Sequence, residues 1–441
     1  MTGGLAALFF LFNTGQLSSE KTKLVNTADA VAYSAGVMHA RTLNYEAYAN
    51  RAMMANTVAI AQLVSLSSWV RYTNNLATFG VVLETPKFAL YYPSYLVAQF
   101  TGLYVKELLI DSDALKGLAL GSDKIIREVL MNAQLVAYGG LVPARREVMN
   151  QVAQANYLGD GAVAVDDVPM TGNEFTSFVS NYADADRTRF AEVAKTAAYR
   201  DRFLPKRSWT LPGLWSDCPG ATATGRVDWL DRRGGTELLG FEEWKAMDTL
   251  SEKRWVPKSK TDVMCMAIAE VPAGWGLQGA AANPSIDLNL LHYDQSVIVN
   301  PAASTLAIAT SSAWDYSGLP NFYDLSEAAL GQADPRLKFS IRVRRRIDQT
   351  RSSEGRSDVR PSPQLNAYRA APAGGDELVA LASSEVYFER PPGAHENAYG
   401  ASVGTPREIG SLFNPYWQVR LVQTDPSLVK AAQLLQGVVM P

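Results

Sequence analysis

The chain of 441 residues is long enough for two or three folded units with real cores. Its 41 Lys and Arg stand against 44 Asp and Glu, a net charge of -3, so no global field draws in nucleic acid or anionic lipid and a polycation-type nucleic-acid binder is excluded. Hydrophobic residues make up 47% and charged residues 19%, against roughly 25% charged in an ordinary soluble domain; the chain is globular and short of charged surface.

Residues 1–19 carry no charge, and residues 5–12 (LAALFFLF) form one unbroken apolar run. That run falls short of the ~20 residues a helix needs to span a bilayer, and no basic region precedes it as in a secretory signal. A chain whose leader has been clipped off fits the pattern. A helix that is apolar all round needs neighbours on every side, so burial between copies is expected. About 1,000 Å² of apolar surface would contribute on the order of 25 kcal/mol at ~25 cal/mol/Å², before ordering costs.

No proline precedes Pro86, and residues 1–80 hold only eight charged side chains, which predicts a long, charge-poor helix. Leu17, Leu24, Ala28, Val31, Ala35 and Met38 recur at spacings of three, four and seven, and the stripe continues through Tyr45, Ala49 and Ala52. A helix over 17–74 would extend about 87 Å at 1.5 Å per residue. Eleven alanines between residues 28 and 61 let helices approach closely. Helical periodicity returns at 92–109, 122–137 and 174–202, with breaks at 119–121 and 139–143. Residues 159–169 (GDGAVAVDDVP) read as a surface loop; Asp160, Asp166 and Asp167 match no EF-hand spacing and form a solvated acidic turn.

From Pro205 onward lie eighteen of the 22 prolines and eight of the nine tryptophans, and helix gives way to strands. Leu337, Phe339, Ile341 and Val343 alternate with Lys338, Ser340, Arg342 and Arg344, the period of a half-buried strand. Trp417, Val419 and Leu421 repeat it. Segments 227–230 and 236–239 flank DRRGG, a predicted hairpin with Gly234 and Gly235 at positive φ. Residues 378–389 add a strand or a pair, and 350–375 a long exposed loop. The expected architecture is α+β: a long N-terminal helix over 1–80, a mainly helical region over 81–205, and a β-rich outer domain over 206–441.

Chemistry motifs are sparse. The sequence has no GxxxxGK[ST], HExxH, GxSxG or paired CxxC, and three histidines (His39, His292, His395) with two cysteines leave little material for a metal site or a triad. No catalytic residue, metal or cofactor is expected. His395 and Glu396 read as a solvent-exposed loop pair. Residues 336–360 carry nine basic against three acidic residues and, with Phe339 on the apolar side of the strand, no stacking aromatics are interleaved, which gives a solvated or subunit-contacting strand face rather than a nucleic-acid platform. The tryptophans read as sheet core. Cys218 and Cys265 fit either one disulfide in an oxidising compartment or two buried thiols.

Residues 8–62, LFFLFNTGQLSSEKTKLVNTADAVAYSAGVMHARTLNYEAYANRAMMANTVAIAQ, resemble the N-terminal region of Flp/Tad pilus-assembly proteins of the TadE/TadG-like group. Asn26, Thr27, Ala28, Asp29 and Ala30 stand in that group's NAADAAA-type run. The segment SLFNPYWQVRLV, 411–422, is similar to the ending of its large members; the middle of the chain is unassigned. The resemblance implies a pilin-like subunit or pilus-associated envelope protein, with its helix held in the inner membrane before assembly and packed in a central bundle afterwards. Two departures stand out: Leu5 occupies the place of the usual type IV pilin glutamate if Met1 is the mature first residue, and the chain is far larger than a Tad major pilin. A minor, tip or surface-displayed subunit is therefore as well supported as the main building block.

The expected function is a non-enzymatic structural subunit of an extracellular pilus-like filament. Leu5, Leu8, Phe9, Phe10, Leu11 and Phe12 form the apolar interface between copies, and Ala28, Ala32 and Ala35 the close-packed stalk. Its partners are copies of itself, other pilins and the inner-membrane assembly machinery, with no nucleic acid. Two rivals are an inner-membrane-tethered accessory protein that never polymerises, and a secreted glycan-binding or adhesive protein that uses exposed tryptophans.

Overall fold

The computed structural model describes residues 2–79, 104–111, 113–167, 175–212, 216, 218–261, 263–283, 299–346, 377–390 and 410–435. In chain order the helices used below are α1 (Thr2–Phe79), α2 (Ala114–Lys124), α3 (Met131–Asn156), α4 (Thr188–Arg200), α5 (Pro219–Ala223), α6 (Pro301–Ala309) and α7 (Pro426–Leu435). The strands are β1 (Ala164–Asp167), β2 (Val179–Tyr182), β3 (Arg207–Pro212), β4 (Trp229–Leu239), β5 (Glu243–Val256), β6 (Ala267–Ala281), β7 (Ser312–Asp315), β8 (Phe322–Leu325), β9 (Leu337–Arg346), β10 (Glu377–Phe388) and β11 (Trp417–Val422). This is the α+β order of a long N-terminal helix, a helical region and a β-rich remainder.

The chain folds as two compact units, one drawn from 1–50, 133–181 and 323–441, the other from 51–132 and 182–322. Each of the segments 1–80, 81–205 and 206–441 is shared between the two. The first unit holds the antiparallel sheet β1-β9-β10-β11. The first part of α1 lies on it: Leu24, Ala28, Val31, Ala32 and Ala35 pack with Phe339, Ile341, Val343, Ala380 and Ala382, and α3 adds Met149 and Ala153. A Cβ on Gly36 would overlap Val419 Cγ2 and stand 2.9 Å from Ser384 Oγ, so helix and sheet meet where only glycine fits. Leu43, Phe175, Phe178, Leu325, Phe388, Leu412 and Trp417 belong to a second cluster of the same unit.

The second unit holds the sheet β3-β4-β5-β6-β7, antiparallel except for the parallel pair β6–β7. Its core includes Met247, Trp275 and Leu277 under Ala303 and Ala307 of α6, and Tyr72 and Leu76 of α1 against Ala273. A Cβ on Gly276 would overlap the Ser68 carbonyl oxygen and lie 2.6 Å from Tyr72 N.

Four sequence expectations are corrected. DRRGG is no hairpin turn: β4 runs unbroken through it, and neither glycine has positive φ. Gly234 and Gly235 serve close packing instead, since a Cβ there would strike the Met247 carbonyl and the Lys206 backbone respectively. Residues 119–121 lie inside α2, and 139–143 inside α3 with Pro143 in its interior, so neither is a break. Residues 164–167 are the strand β1 rather than loop, paired with β9. Within 174–202, helix alternates with the strand β2. The 378–389 expectation resolves to the single strand β10; most of 92–109, all of 350–375 and His395 with Glu396 lie outside the described residues.

Candidate assembly interface

Alpha-helix α1 changes character along its length. Its first eighteen positions are uncharged, and residues 5–12 are apolar without an opposing polar face, so periodicity gives no inner side to bury. Among the described side chains here, Leu8 is 65% exposed, Leu11 69%, Phe12 45% and Leu17 46%; those of Leu5, Phe9 and Phe10 lie outside the described residues. Cover begins where charges begin. Glu20 pairs with Arg345 at 3.3 Å, Lys21 donates to the Val379 carbonyl, and Lys23 pairs with Asp160.

From Leu24 a buried position returns every third or fourth residue, the helical period of a single packed face. Ala28, Ala32 and Ala35 are each 0% exposed and sit in the core of the first unit. Their small side chains permit close approach to the protein's own sheet, not to a neighbouring stalk. They are therefore unavailable to the interface in which the sequence placed them.

Polar side chains missed in the sequence fix α1 to distant segments. Asn44 both donates to the Trp417 carbonyl (3.0 Å) and accepts from the Trp417 amide (2.9 Å), acting as a one-residue strand partner. Asn50, fully buried, donates to the Tyr323 and Leu412 carbonyls at 2.7 and 2.6 Å and accepts from Gln134 at 2.8 Å. The stretches 8–62 and 411–422 thus touch at Asn44, Asn50 and Gly36. Amide side chains at helical spacing were the available signal, with nothing in the sequence to name their partners.

Two buried ionisable groups lie on the same helix. His39 stacks on Phe175 at 5.9 Å, and its Nε2 faces Arg145 Nη1 at 2.9 Å; because arginine only donates, the ring proton belongs on Nδ1. Burial, aided by the Arg145 charge, lowers the His39 pKa to about 3. Glu46 is 0% exposed, and neither carboxyl oxygen has a hydrogen-bond partner. Burial raises its pKa to about 8, opposed in small part by the nearby Gln134 amide, so the neutral acid dominates at pH 7.

The acidic residues of 159–169 are each matched to a cation: Asp160 to Lys23, Asp166 to Arg342 and Arg344 at 3.0 and 2.8 Å, Asp167 to Arg145 at 3.2 Å. Ion pairing within the fold, not solvation, accounts for them, and the described residues contain no His, Cys, Asp and Glu group suited to a metal. The part of the basic run within the described residues, 336–346, is engaged in the fold too. Arg336 pairs with Asp334 and Glu385, while Arg345, fully buried, lies 4.4 Å over the Tyr157 ring.

In the second unit Ser67, Arg71, Leu109, Ile110, Asp113 and Lys116 help line a cleft of about 170 Å³, below the ~300–1,000 Å³ of ordinary ligand pockets. Cys218 and Cys265 form a disulfide with Cα atoms 6.2 Å apart and a sequence separation of 47. Closing a loop of that length stabilises by about 4 kcal/mol in the chain-entropy account. Trp244, Trp275, Trp314 and Trp417 are buried; Trp209, 41% exposed, lies under Arg232 at 4.4 Å. Comparison of the chain with protein-family models, curated proteins and solved structures finds no match in any of the three.

Proposed function

We propose that the chain is a structural subunit of an extracellular pilus-like filament, held in the inner membrane by its N-terminal helix before assembly. The observation that carries this reading is the uncharged stretch 2–19 of α1, helical throughout and exposed at Leu8, Leu11, Phe12 and Leu17. An apolar helix end of this kind is stable in a lipid phase or against copies of itself. Within Thr14–Thr78, α1 also holds a window apolar enough to cross a membrane, 56% of it buried in the fold, a property that core helices of soluble proteins share. The Cys218–Cys265 disulfide suits an oxidising compartment beyond the cytosol. The contact between copies is confined to residues 2–19, with Leu5, Phe9 and Phe10 expected alongside the exposed Leu8, Leu11 and Phe12.

Burial of Ala28, Ala32 and Ala35 inside the first unit favours a second reading, a tethered accessory protein of the same machinery that never polymerises. Replacing Leu8 and Leu11 together by Asp separates the two. For a filament subunit the double variant keeps its wild-type melting transition but drops out of sheared filaments. Normal incorporation of the variant contradicts assembly through this helix end.

A further inference from the structure

The longest hairpin of the second unit, β5 with β6, ends in the connection 257–266. Hairpin tips are ordinarily polar, because they are among the wettest parts of a fold. This one turns apolar side chains to water: Val263 is 85% exposed, Met264 56%, Met266 55%, and Ile268 just inside β6 50%.

The tip backbone is fixed from three directions. Cys265, 2% exposed, is joined to Cys218 at the start of α5. Arg226 donates to the Cys265 carbonyl at 2.9 Å while its guanidinium lies 4.4 Å over the Trp255 ring. A Cβ on Gly220 would stand 3.0 Å from Cys265 N and 3.1 Å from Met264 Cα, so α5 packs directly on the tip backbone. A cross-linked loop that holds four apolar side chains outward has lost its ordering entropy in advance, which favours binding. The same loop carries Lys258 and Lys260, both exposed and without an ion-pair partner among the described residues.

We infer that this tip docks on an anionic lipid surface. The four apolar side chains enter the boundary of the acyl region, and the two lysines meet phosphate groups at the level where amphipathic segments place their cations. The apolar residues alone would suit a protein partner equally well; the two exposed lysines at their margin, without an ion-pair partner among the described residues, select a negatively charged interface. With a net charge of -3, the attraction is local to the tip. The inference does not depend on filament assembly.

Hydrogen exchange read by mass spectrometry on the full chain tests it, with vesicles of phosphatidylglycerol and phosphatidylcholine against vesicles of phosphatidylcholine alone. Peptides covering 257–268 report the tip and those covering 2–19 report the helix end, so insertion of the latter is scored separately. The tip is expected to be protected by the anionic vesicles only. Met264→Asp with Met266→Asp should abolish that protection, and Lys258→Gln with Lys260→Gln should raise the lipid needed by about thirty-fold. An unprotected tip, equal protection by phosphatidylcholine alone, or protection that grows with protein concentration in the absence of lipid would each overturn the assignment. Sheared filaments from the tip variants test the assembly reading independently.

Discussion

Glu46 and His39 face opposite limits of pH from the same helix. Unfolded, Glu46 ionises near its ordinary 4.5, and folded near 8, so its neutral form supports the fold fully below pH 4.5 and that support is lost as pH rises through about 8. His39 is reversed. Its ordinary value is 6.5 and its folded value about 3, so its support is complete above pH 6.5 and lost as pH falls through about 3. Each contributes a slope of about 1.4 kcal/mol per pH unit where only one state titrates. Between pH 4.5 and 6.5 the two slopes cancel, and the stability of the first unit should be level there. Above that range about 2 kcal/mol is lost by pH 8 through Glu46. Glu46→Gln should abolish this alkaline loss and, with the opposing slope gone, extend the rise of the acid limb to pH 6.5, read in denaturant titrations across pH 4 to 9. An alkaline limb unchanged by the substitution would show that Glu46 does not titrate as its burial requires.

At the scale of elements, α1 is held by close approach as much as by apolar area. Gly276 sits where β6 passes the Ser68 carbonyl oxygen and Tyr72 N, backbone atoms that cannot rotate away. Gly276→Ala should therefore cost the second unit about 1–3 kcal/mol, the range of overpacked cores, read as a lowered melting transition. An unchanged transition would mean that helix and strand are not in contact at that point. The buried face of α1 was legible from Leu24 onward, because a period of three and four needs no partner to be recognised. What covers it was not. Alanines announce a close neighbour without identifying it, and the strands over Ala28 and Ala35 lie some three hundred residues further along the chain. DRRGG misled for a related reason: paired glycines mark tight turns and close packing alike, and only the position of the Met247 carbonyl distinguishes them here. Asp166 and Asp167 read as a solvated turn because their cations, Arg342, Arg344 and Arg145, stand far away in sequence.

For the whole molecule, scarcity of charge and an uncovered apolar helix end are two aspects of one design. Two compact units have cores of their own, and among the described side chains of α1 the buried positions begin at Leu24. The described side chains of residues 2–19 lie outside those hydrophobic clusters, and the central claim is that other copies of the chain supply the cover of this helix end. Electron microscopy of material sheared from producing cells, with mass spectrometry on the same fraction, tests this most directly. The account predicts regular filaments that contain this chain and that disappear when Leu8 and Leu11 are replaced by Asp. Retention of the chain in the membrane fraction, with sheared filaments that lack it, would contradict the claim and assign residues 2–19 to tethering alone.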